Sequence, residues 1–128
     1  MRVGVDIVEV EDVSRASAAL GRRYLERVFT PHELSCAKGS ETVRAGHLAA
    51  RFAAKEATFK ILGAGDELPP WRSIEVVREH SGRTSLRLYG RAEELALAAG
   101  VSELAVSLTH EGPIAAAVVV AREGEAMS

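Results

Sequence analysis

The chain has a single cysteine, no long apolar run and no excess of basic residues, and each lack excludes a class of protein. Cys36 alone cannot close an internal disulfide, so we expect a reduced cytoplasmic protein. No stretch approaches the ~20 apolar residues that a membrane-spanning helix needs. The N-terminal run carries acidic residues and lacks a small-residue cleavage site, which argues against a signal peptide.

The charge balance also limits the partners. There are 16 lysines and arginines against 18 acidic residues, a net charge of −2, so bulk electrostatics does not predict nucleic-acid binding. A nucleotide-binding glycine loop, a serine–histidine–aspartate order and a zinc-type His/Cys cluster are all missing from the sequence. With 47% hydrophobic residues in 128, the sequence predicts one globular domain over 1–128.

The first half predicts one strand and three helices: a strand over 3–8 and helices over 11–20, 31–38 and 41–62. Gly21 and Gly63 mark helix ends. Thr30, followed by Pro31 and then Glu33, forms a capping box with proline at the first helical position. The segment AGDELPP, over 64–70, is a turn-rich loop.

The second half predicts two antiparallel pairs and one helix. Strands over 73–79 and 84–89 flank a hairpin turn at 80–83, and a helix over 91–99 ends at Gly100. Strands over 104–109 and 114–121 join through a tight link at 110–113. Without a regular βαβ alternation, the pattern predicts an α+β fold with packed helices on an antiparallel sheet.

The stretch RFAAKEATFKILG, over 51–63, raises a question about Glu56. This carboxylate lies four residues after Phe52 and three before Phe59, inside the apolar stripe of the long helix. An unpaired carboxylate is costly there. We therefore expect a partner for Glu56. One candidate is an ordinary ion pair with Lys60, four residues later; the others are a metal ion and a set of hydrogen-bond donors.

Asp6, in the middle of the first strand, is a second misplaced carboxylate. Two carboxylates on rigid elements are compatible with a magnesium site completed by phosphate oxygens, whereas Asp6 taken alone is better explained by a solvated strand face. His110, at the end of a later strand, could bind phosphate, move a proton or merely occupy a turn.

Four motifs, in a fixed order along the chain, resemble those of a known protein family. They are GVDIVE from Gly4, FTPHEL from Phe29, RFAAKEA from Arg51 and SLTH from Ser107. Together they resemble the holo-acyl-carrier-protein synthases, the small single-domain 4′-phosphopantetheinyl transferases. The resemblance extends from Val3 to about Ala121.

The resemblance implies a reaction and a site. Such proteins move 4′-phosphopantetheine from coenzyme A to a serine of an apo acyl carrier protein and release adenosine 3′,5′-bisphosphate. They use magnesium and are typically homotrimers with coenzyme A at subunit boundaries. By motif position, Asp6 and Glu56 would hold the metal, Glu56, Lys60 and His110 would be catalytic, and coenzyme A would contact Arg51, Lys60, Gly63, Arg83 and His110.

Several points stay open at this level. The general base could be His110, Glu111 or a metal-bound water. Asp12, His47 and Thr84 depart from the usual family pattern and bear on the choice of carrier, which could serve fatty-acid or polyketide synthesis. A carrier-docking subunit without activity and a pyrophosphate hydrolase are the competing functions.

Two surface features predict contacts with other proteins. Arg15, Arg22, Arg23 and Arg27 make the first helical region basic, which suits an acidic carrier protein. The run Val118–Val120 is apolar on both faces of its strand, which predicts a subunit contact with Val119 as an outward-facing residue.

Overall fold

The central helix is the element on which the rest of the chain is arranged. The structure is a computed structural model and describes residues 1–63, 65 and 67–124. The elements are β1 (Arg2–Glu9), α1 (Val10–Leu20), α2 (Arg22–Val28), α3 (Pro31–Cys36), α4 (Glu41–Leu62), β2 (Ile74–Arg78), β3 (Thr84–Leu88), α5 (Gly90–Ala98), β4 (Val101–Glu111) and β5 (Ile114–Glu123). A 3₁₀ turn, Trp71–Ser73, precedes β2. The order of these elements confirms the predicted α+β class.

The strands form two antiparallel sheets. One has three strands in the order β1-β5-β4, and the other is the β2-β3 hairpin. Helix α4 packs across the three-stranded sheet, and its buried residues continue into the core formed with α1 and α3 on one side and with the hairpin on the other. Among the described helices, none is long and apolar enough to cross a membrane.

Local signals placed most of the helices correctly. The Thr30 hydroxyl accepts a hydrogen bond from the Glu33 amide at 3.2 Å, and the Glu33 carboxylate accepts one from the Thr30 amide at 2.8 Å. Helix α3 ends at Cys36, two residues before the predicted end. Helix α4 begins after a Ser40 cap and ends at Gly63 in the left-handed conformation, as predicted. Of the predicted loop over 64–70, residues 64 and 66 lie outside the described part of the chain.

The short helix α2 was not predicted. Its seven residues, RRYLERV, follow directly on Gly21, whose positive φ of 63° ends α1 and redirects the chain. Fewer than two turns give too few positions for an apolar period to be recognised. The predicted basic region is therefore two helices, not one.

Strand β1 lies so close to α4 that only glycine fits at one position. A Cβ on Gly4 would overlap the carbonyl oxygen of Ala57, and Ala57 itself is fully buried. Since side chains alternate along a strand, Asp6 is on the same face of β1 as Gly4 and therefore also points toward α4. The close approach of the backbones thus brings Asp6 to the helix.

The outer face of the three-stranded sheet is apolar and uncovered by the described residues. Val3, Val5 and Ile7 on β1 are 62%, 47% and 67% exposed, and Val118 on β5 is 40% exposed. The prediction that Val119 points outward is wrong: it is fully buried against α4, next to Ala57 and Ile61. Two-residue alternation makes Val118 the outward residue of this pair.

Candidate active site

Three charged side chains meet where β1 crosses α4. The Lys60 ammonium donates to the Val5 carbonyl at 2.8 Å and lies 3.3 Å from Asp6 Oδ1. Glu56 is one turn before Lys60 on α4. No ion pair joins these two helical residues, so Lys60 reaches across to β1 instead of back to Glu56. The simple intrahelical pair considered for Glu56 is absent.

The pKa of Glu56 is raised above its ordinary 4.5. Burial is the largest cause, the negative charge of Asp6 is the second, and the positive charge of Lys60 partly opposes both. Two carboxylates thus share a half-buried region in which positive charge is insufficient. A divalent cation would relieve that repulsion.

The donor set fits a hard cation that keeps part of its shell for other ligands. Asp6 and Glu56 supply carboxylate oxygens, the type that magnesium prefers. Within residues 1–63, 65 and 67–124 no group of three or more His, Cys, Asp or Glu side chains could hold a metal. The protein would therefore provide two ligands, and water or phosphate oxygens would provide the others.

An aromatic cluster explains the burial of Glu56. Trp71 stacks on Phe52 with ring centroids 4.9 Å apart and meets Phe59 edge-on at the same separation. Glu56 lies between Phe52 and Phe59 along α4, beside this aromatic wall. Trp71 was not identified from the sequence, because it lies just beyond a loop and shows no periodicity with the helix.

A cavity of about 280 Å³ opens beside these residues, lined by Glu56, Phe59, Lys60, Gly63, Gly65 and Leu68. Gly63, with φ of 61°, ends α4 at its rim. The volume is below the roughly 300–1,000 Å³ of common small-molecule sites. One chain thus offers a partial enclosure for a large ligand.

Two further cavities lie between this one and α2, and each shares lining residues with the next. Leu68 also lines a cavity of about 410 Å³ with Arg27 and Trp71. Arg27 and Trp71 in turn line a cavity of about 900 Å³ with Arg23, Tyr24 and Phe52. We call this the α2 groove, defined by Arg23, Tyr24, Arg27, Phe52 and Trp71. The shared lining residues connect the basic helix α2 with Glu56.

Arg51 and His110 lie in a second region of the molecule, on the other side of α4. Arg51 is only 6% exposed, and burial lowers its pKa. The His110 ring lies against Gly46, where a Cβ would be 2.6 Å from Nδ1. Gly46 precedes Glu56 by ten residues, or about 15 Å along the helix axis. Within one chain, His110 is therefore distant from the Asp6–Glu56 pair.

The last predicted residue, Arg83, lies apart from both places. It is in the β2-β3 turn, where its amide donates to Ser81 Oγ at 3.3 Å, and it lines a cavity of about 510 Å³ with Gly82, Ser85 and Ser107. The structure therefore brings Asp6, Glu56, Lys60 and Gly63 together, places Arg51 with His110, and leaves Arg83 at a third position.

One buried ion pair beside the site was missed. Lys55 Nζ lies 2.8 Å from Glu33 Oε1, and both side chains are fully buried. Lys55 also donates to the carbonyls of Trp71 and Ile74, while Glu33 Oε2 accepts from the Val76 amide at 2.8 Å. The sequence pattern could have predicted that Lys55 is buried. Lys55 follows two alanines and lies four residues after Arg51, on the inward face of α4.

Comparisons with known proteins identify the family of this chain. Residues 2–119 match the ACPS family of the 4′-phosphopantetheinyl transferase superfamily, so the chain belongs to that family. It is 45% identical to a holo-[acyl-carrier-protein] synthase of Chloroflexus aurantiacus over 94% of this chain and 97% of the relative. With the corresponding protein of Moorella thermoacetica it shares 43% identity over 94% and 92% of the two chains. The predicted family resemblance is confirmed.

Solved structures give the same assignment. The ACPS–CoA complex of Chronobacterium ammoniagenes is 33% identical and superposes with a TM-score of 0.82 over 96% of this chain and 97% of that one. The acyl carrier protein synthase of Mycobacterium tuberculosis is 36% identical, with a TM-score of 0.71 over 94% and 96%.

The carboxylate pair can be tested by titration. Replacing Asp6 with asparagine removes a negative charge that raises the Glu56 pKa, so we expect that pKa to fall toward 4.5 in the variant. Lys60→Met should raise it further. Carboxyl ¹³C shifts of Glu56 followed against pH measure both, with Asp12→Asn, on exposed α1, as the control. An unchanged Glu56 titration in Asp6→Asn would contradict the proximity of the two groups.

Proposed function

We propose that this single domain transfers 4′-phosphopantetheine from coenzyme A to a serine of an apo acyl carrier protein. The observation that carries the proposal is the half-buried pair Asp6–Glu56 with Lys60 beside it, at an open cavity. That arrangement suits the cleavage of a pyrophosphate. Relatives named holo-[acyl-carrier-protein] synthase and a solved relative in complex with coenzyme A support the choice of substrates.

The reaction is a displacement at phosphorus. The serine oxygen forms a bond to the phosphorus that carries pantetheine, and the bond from that phosphorus to the bridging oxygen breaks. Adenosine 3′,5′-bisphosphate leaves with the bridging oxygen, and the serine loses its proton. Because little covalent chemistry falls to the protein, catalysis depends on positioning and on neutralising the oxygens that gain charge.

Asp6 and Glu56 are the residues that would hold the magnesium ion. Bound there, the ion would neutralise pyrophosphate oxygens and orient them for in-line attack. The raised pKa of Glu56 supports this assignment, because a carboxylate with unrelieved repulsion gains most from a cation.

Lys60 is proposed to act on the leaving group. Its ammonium is held at 2.8 Å by the Val5 carbonyl, and more than half of its side chain is exposed toward the cavity. From that position it can donate to the bridging oxygen as negative charge develops. Gly63, at the rim, leaves the backbone free of a side chain where the ligand would pass.

The outer parts of coenzyme A are proposed to reach the other predicted residues. Arg51 lies five residues before Glu56, about 7.5 Å along α4 but on the other side of the helix, so the ligand would have to extend around α4 for a second phosphate to meet Arg51 and His110. Arg83 would contact coenzyme A bound by a neighbouring copy. Among the candidate bases, His110 faces α4 whereas strand alternation turns Glu111 to the opposite face of β4.

An acidic carrier protein is proposed to dock at the α2 groove. Arg15 and Arg22 are occupied by intrahelical pairs with Glu11 and Glu26, at 3.3 and 3.0 Å. No ion pair among the described residues involves Arg23 or Arg27, which line the groove. The cavities between that groove and Glu56 share lining residues, so the carrier's pantetheine-accepting serine could approach the metal pair along them.

We further propose a homotrimer acting in the cytoplasm. Val3, Val5, Ile7 and Val118 form one continuous apolar face, whereas surface valines are usually isolated. Antiparallel sheets of monomers usually present a polar outer face. A closed ring with one repeated interface would bury it. The unpaired Cys36 fits a reducing compartment.

The transfer assay tests the function directly. Incubation with coenzyme A and magnesium should add the mass of phosphopantetheine to an apo carrier protein. We expect Asp6→Ala and Glu56→Ala each to lower the rate by roughly 10²-fold or more, because each removes a metal ligand. Glu41→Ala, which removes an exposed acidic side chain at the start of α4, is the matched control. Carrier binding without a mass gain, or coenzyme A cleavage without a carrier, would instead identify a docking subunit or a hydrolase.

Lys60→Ala tests the role assigned to the lysine. If Lys60 stabilises charge that develops during transfer, kcat should fall by about 10²-fold while the KM for coenzyme A changes little. Lys38→Ala, outside the site, is the control. A raised KM with unchanged kcat would mean that Lys60 only binds the substrate.

Val118→Lys tests the assembly. A lysine at this outward position should disperse the oligomer, measured by light scattering, and abolish transfer if the site spans two copies. Ser107 on β4 is the cross-strand partner of Val118 and lies on the same face of the sheet. Ser107→Lys therefore tests how far the subunit contact extends across that face. A folded and fully active Val118→Lys monomer would rule out the shared site.

A further inference from the structure

Lys55 is a fully buried cation that the proposed reaction does not use. It precedes Glu56 by one residue on α4, yet it is not among the residues that line the Glu56 cavity. Its side chain is 0% exposed, and a buried ammonium is tolerated only where it is paired and hydrogen-bonded. The groups that Lys55 holds in place therefore indicate what the residue does.

The three donors of the Lys55 ammonium go to three segments of the chain. Nζ lies 2.8 Å from Glu33 Oε1 on α3, donates to the Trp71 carbonyl at 3.2 Å and donates to the Ile74 carbonyl at the start of β2. A lysine has three donors, so none is left over. Glu33 balances the charge, whereas the two carbonyls are neutral. The carbonyl bonds fasten the 3₁₀ turn to α4 at its first residue and at the residue that follows it.

Trp71 is attached to α4 by its ring as well as by its backbone. The ring stacks on Phe52 and meets Phe59 edge-on, with ring centroids 4.9 Å apart in both cases. Phe52 is four residues before Glu56 and Phe59 is three after it, so the two contacts lie on either side of Glu56 along the helix. Aromatic pairs are favourable over centroid separations of about 4.5–7 Å. The rings alone therefore do not fix Trp71, and the bond from Lys55 supplies the missing constraint.

The segment before Trp71 lines the cavities next to Glu56. Leu68 lines the Glu56 cavity, and Leu68 and the two prolines after it line the next cavity together with Trp71. The Ser73 amide donates to the Pro70 carbonyl at 2.9 Å, which joins this segment to the 3₁₀ turn. Each proline has a fixed φ, so the segment transmits a displacement of the turn with little bending. We call Leu68–Pro70 the proline segment.

We propose that Lys55 is a positioning residue: its hydrogen bonds to the Trp71 and Ile74 carbonyls fix the proline segment beside Glu56 and so determine how tightly the cavity holds its ligand. Lys55 acts through Trp71 and touches no ligand itself. The identity of the ligand as coenzyme A rests on the proposed function, whereas the control of Trp71 by Lys55 does not.

The fluorescence of Trp71 tests the positioning step. Trp71 is the only tryptophan in the sequence, so the emission follows the 3₁₀ turn without a label. Lys55→Met keeps an unbranched side chain but removes all three donors. We expect its Trp71 emission to shift to longer wavelength and its quenching by acrylamide to increase, both below the melting transition. Glu33→Gln removes the partner's charge and keeps the two carbonyl bonds, so its emission should stay at the wild-type wavelength.

Two further variants separate positioning from a general loss of stability. Val76→Ala opens a cavity in the buried core on β2 and lowers the melting temperature, but it leaves Lys55 and its three bonds in place. Its emission should not move. Lys55→Met combined with Glu33→Gln leaves no unpaired charge, so it replaces the single variant if that one does not fold, and it should show the same red shift. A wild-type emission in the Lys55 variants, or an equal shift in Val76→Ala, would overturn the proposal.

Ligand binding is measured on the same proteins with coenzyme A as the probe. The KM and the Kd should rise roughly tenfold in Lys55→Met with kcat nearly unchanged, because the proline segment would meet the ligand equally before and during transfer. Val76→Ala should keep the wild-type KM. A lower kcat at constant KM would mean that Lys55 acts on the chemical step and would overturn the proposal. A wild-type protein that binds no coenzyme A would refute the proposed function alone, and the emission of Trp71 would still decide whether Lys55 holds the turn.

Discussion

The fully buried ion pair between Glu33 and Lys55 is the interaction on which the surroundings of α4 depend. It joins α3, α4, the Trp71–Ser73 turn and β2 through one ammonium and one carboxylate. Every donor and acceptor of the pair is used, which is the condition under which a buried charge is tolerated. Removing one partner from such a pair costs about 3–5 kcal/mol, because the other charge stays buried alone. The residues of α4 before and after Lys55 are therefore held in fixed positions relative to α3 and β2.

Helix α4 presents two rows of functional groups as a result. Residues four apart share a face, so His47, Arg51 and Lys55 form one row and Phe52, Glu56 and Lys60 form another. The first row faces α3 and β2, where its charges are buried. The second faces β1 and the aromatic wall of Trp71. A single rigid helix thus separates a buried basic side from a side that carries the carboxylate pair with Asp6.

The approach of β1 completes the second row. Gly4 allows the strand to contact the Ala57 backbone, and the two-residue period of the strand then directs Asp6 toward Glu56 and Lys60. The cost is electrostatic, since burial and Asp6 together raise the Glu56 pKa. Such a cost is retained at sites where a bound ligand compensates it.

The sequence was sufficient for features that depend on local patterns. The Thr30 capping box, the Gly63 helix end and the strand alternation in β1 each involve only neighbouring residues, and each was predicted correctly. The unexpected carboxylate in the stripe also led to Glu56. Three features needed the folded chain: α2 is too short to show a period, the Lys55–Glu33 pair spans 22 positions, and Trp71 reaches Phe52 and Phe59 only after the loop returns. Val119 was assigned to the wrong face because three successive valines carry no alternation.

The same sheet leaves the cavity of one chain partly open. Strand β1 is at the edge of the three-stranded sheet, so Asp6 and the Glu56 cavity lie beside an open strand edge. That edge borders the uncovered apolar face of Val3, Val5 and Ile7. Exposed apolar faces are ordinarily covered by another element, and within the described residues no element covers this one. A second copy packed on this face would cover the edge and wall the cavity at once, so one contact would both stabilise the sheet and enclose the substrate.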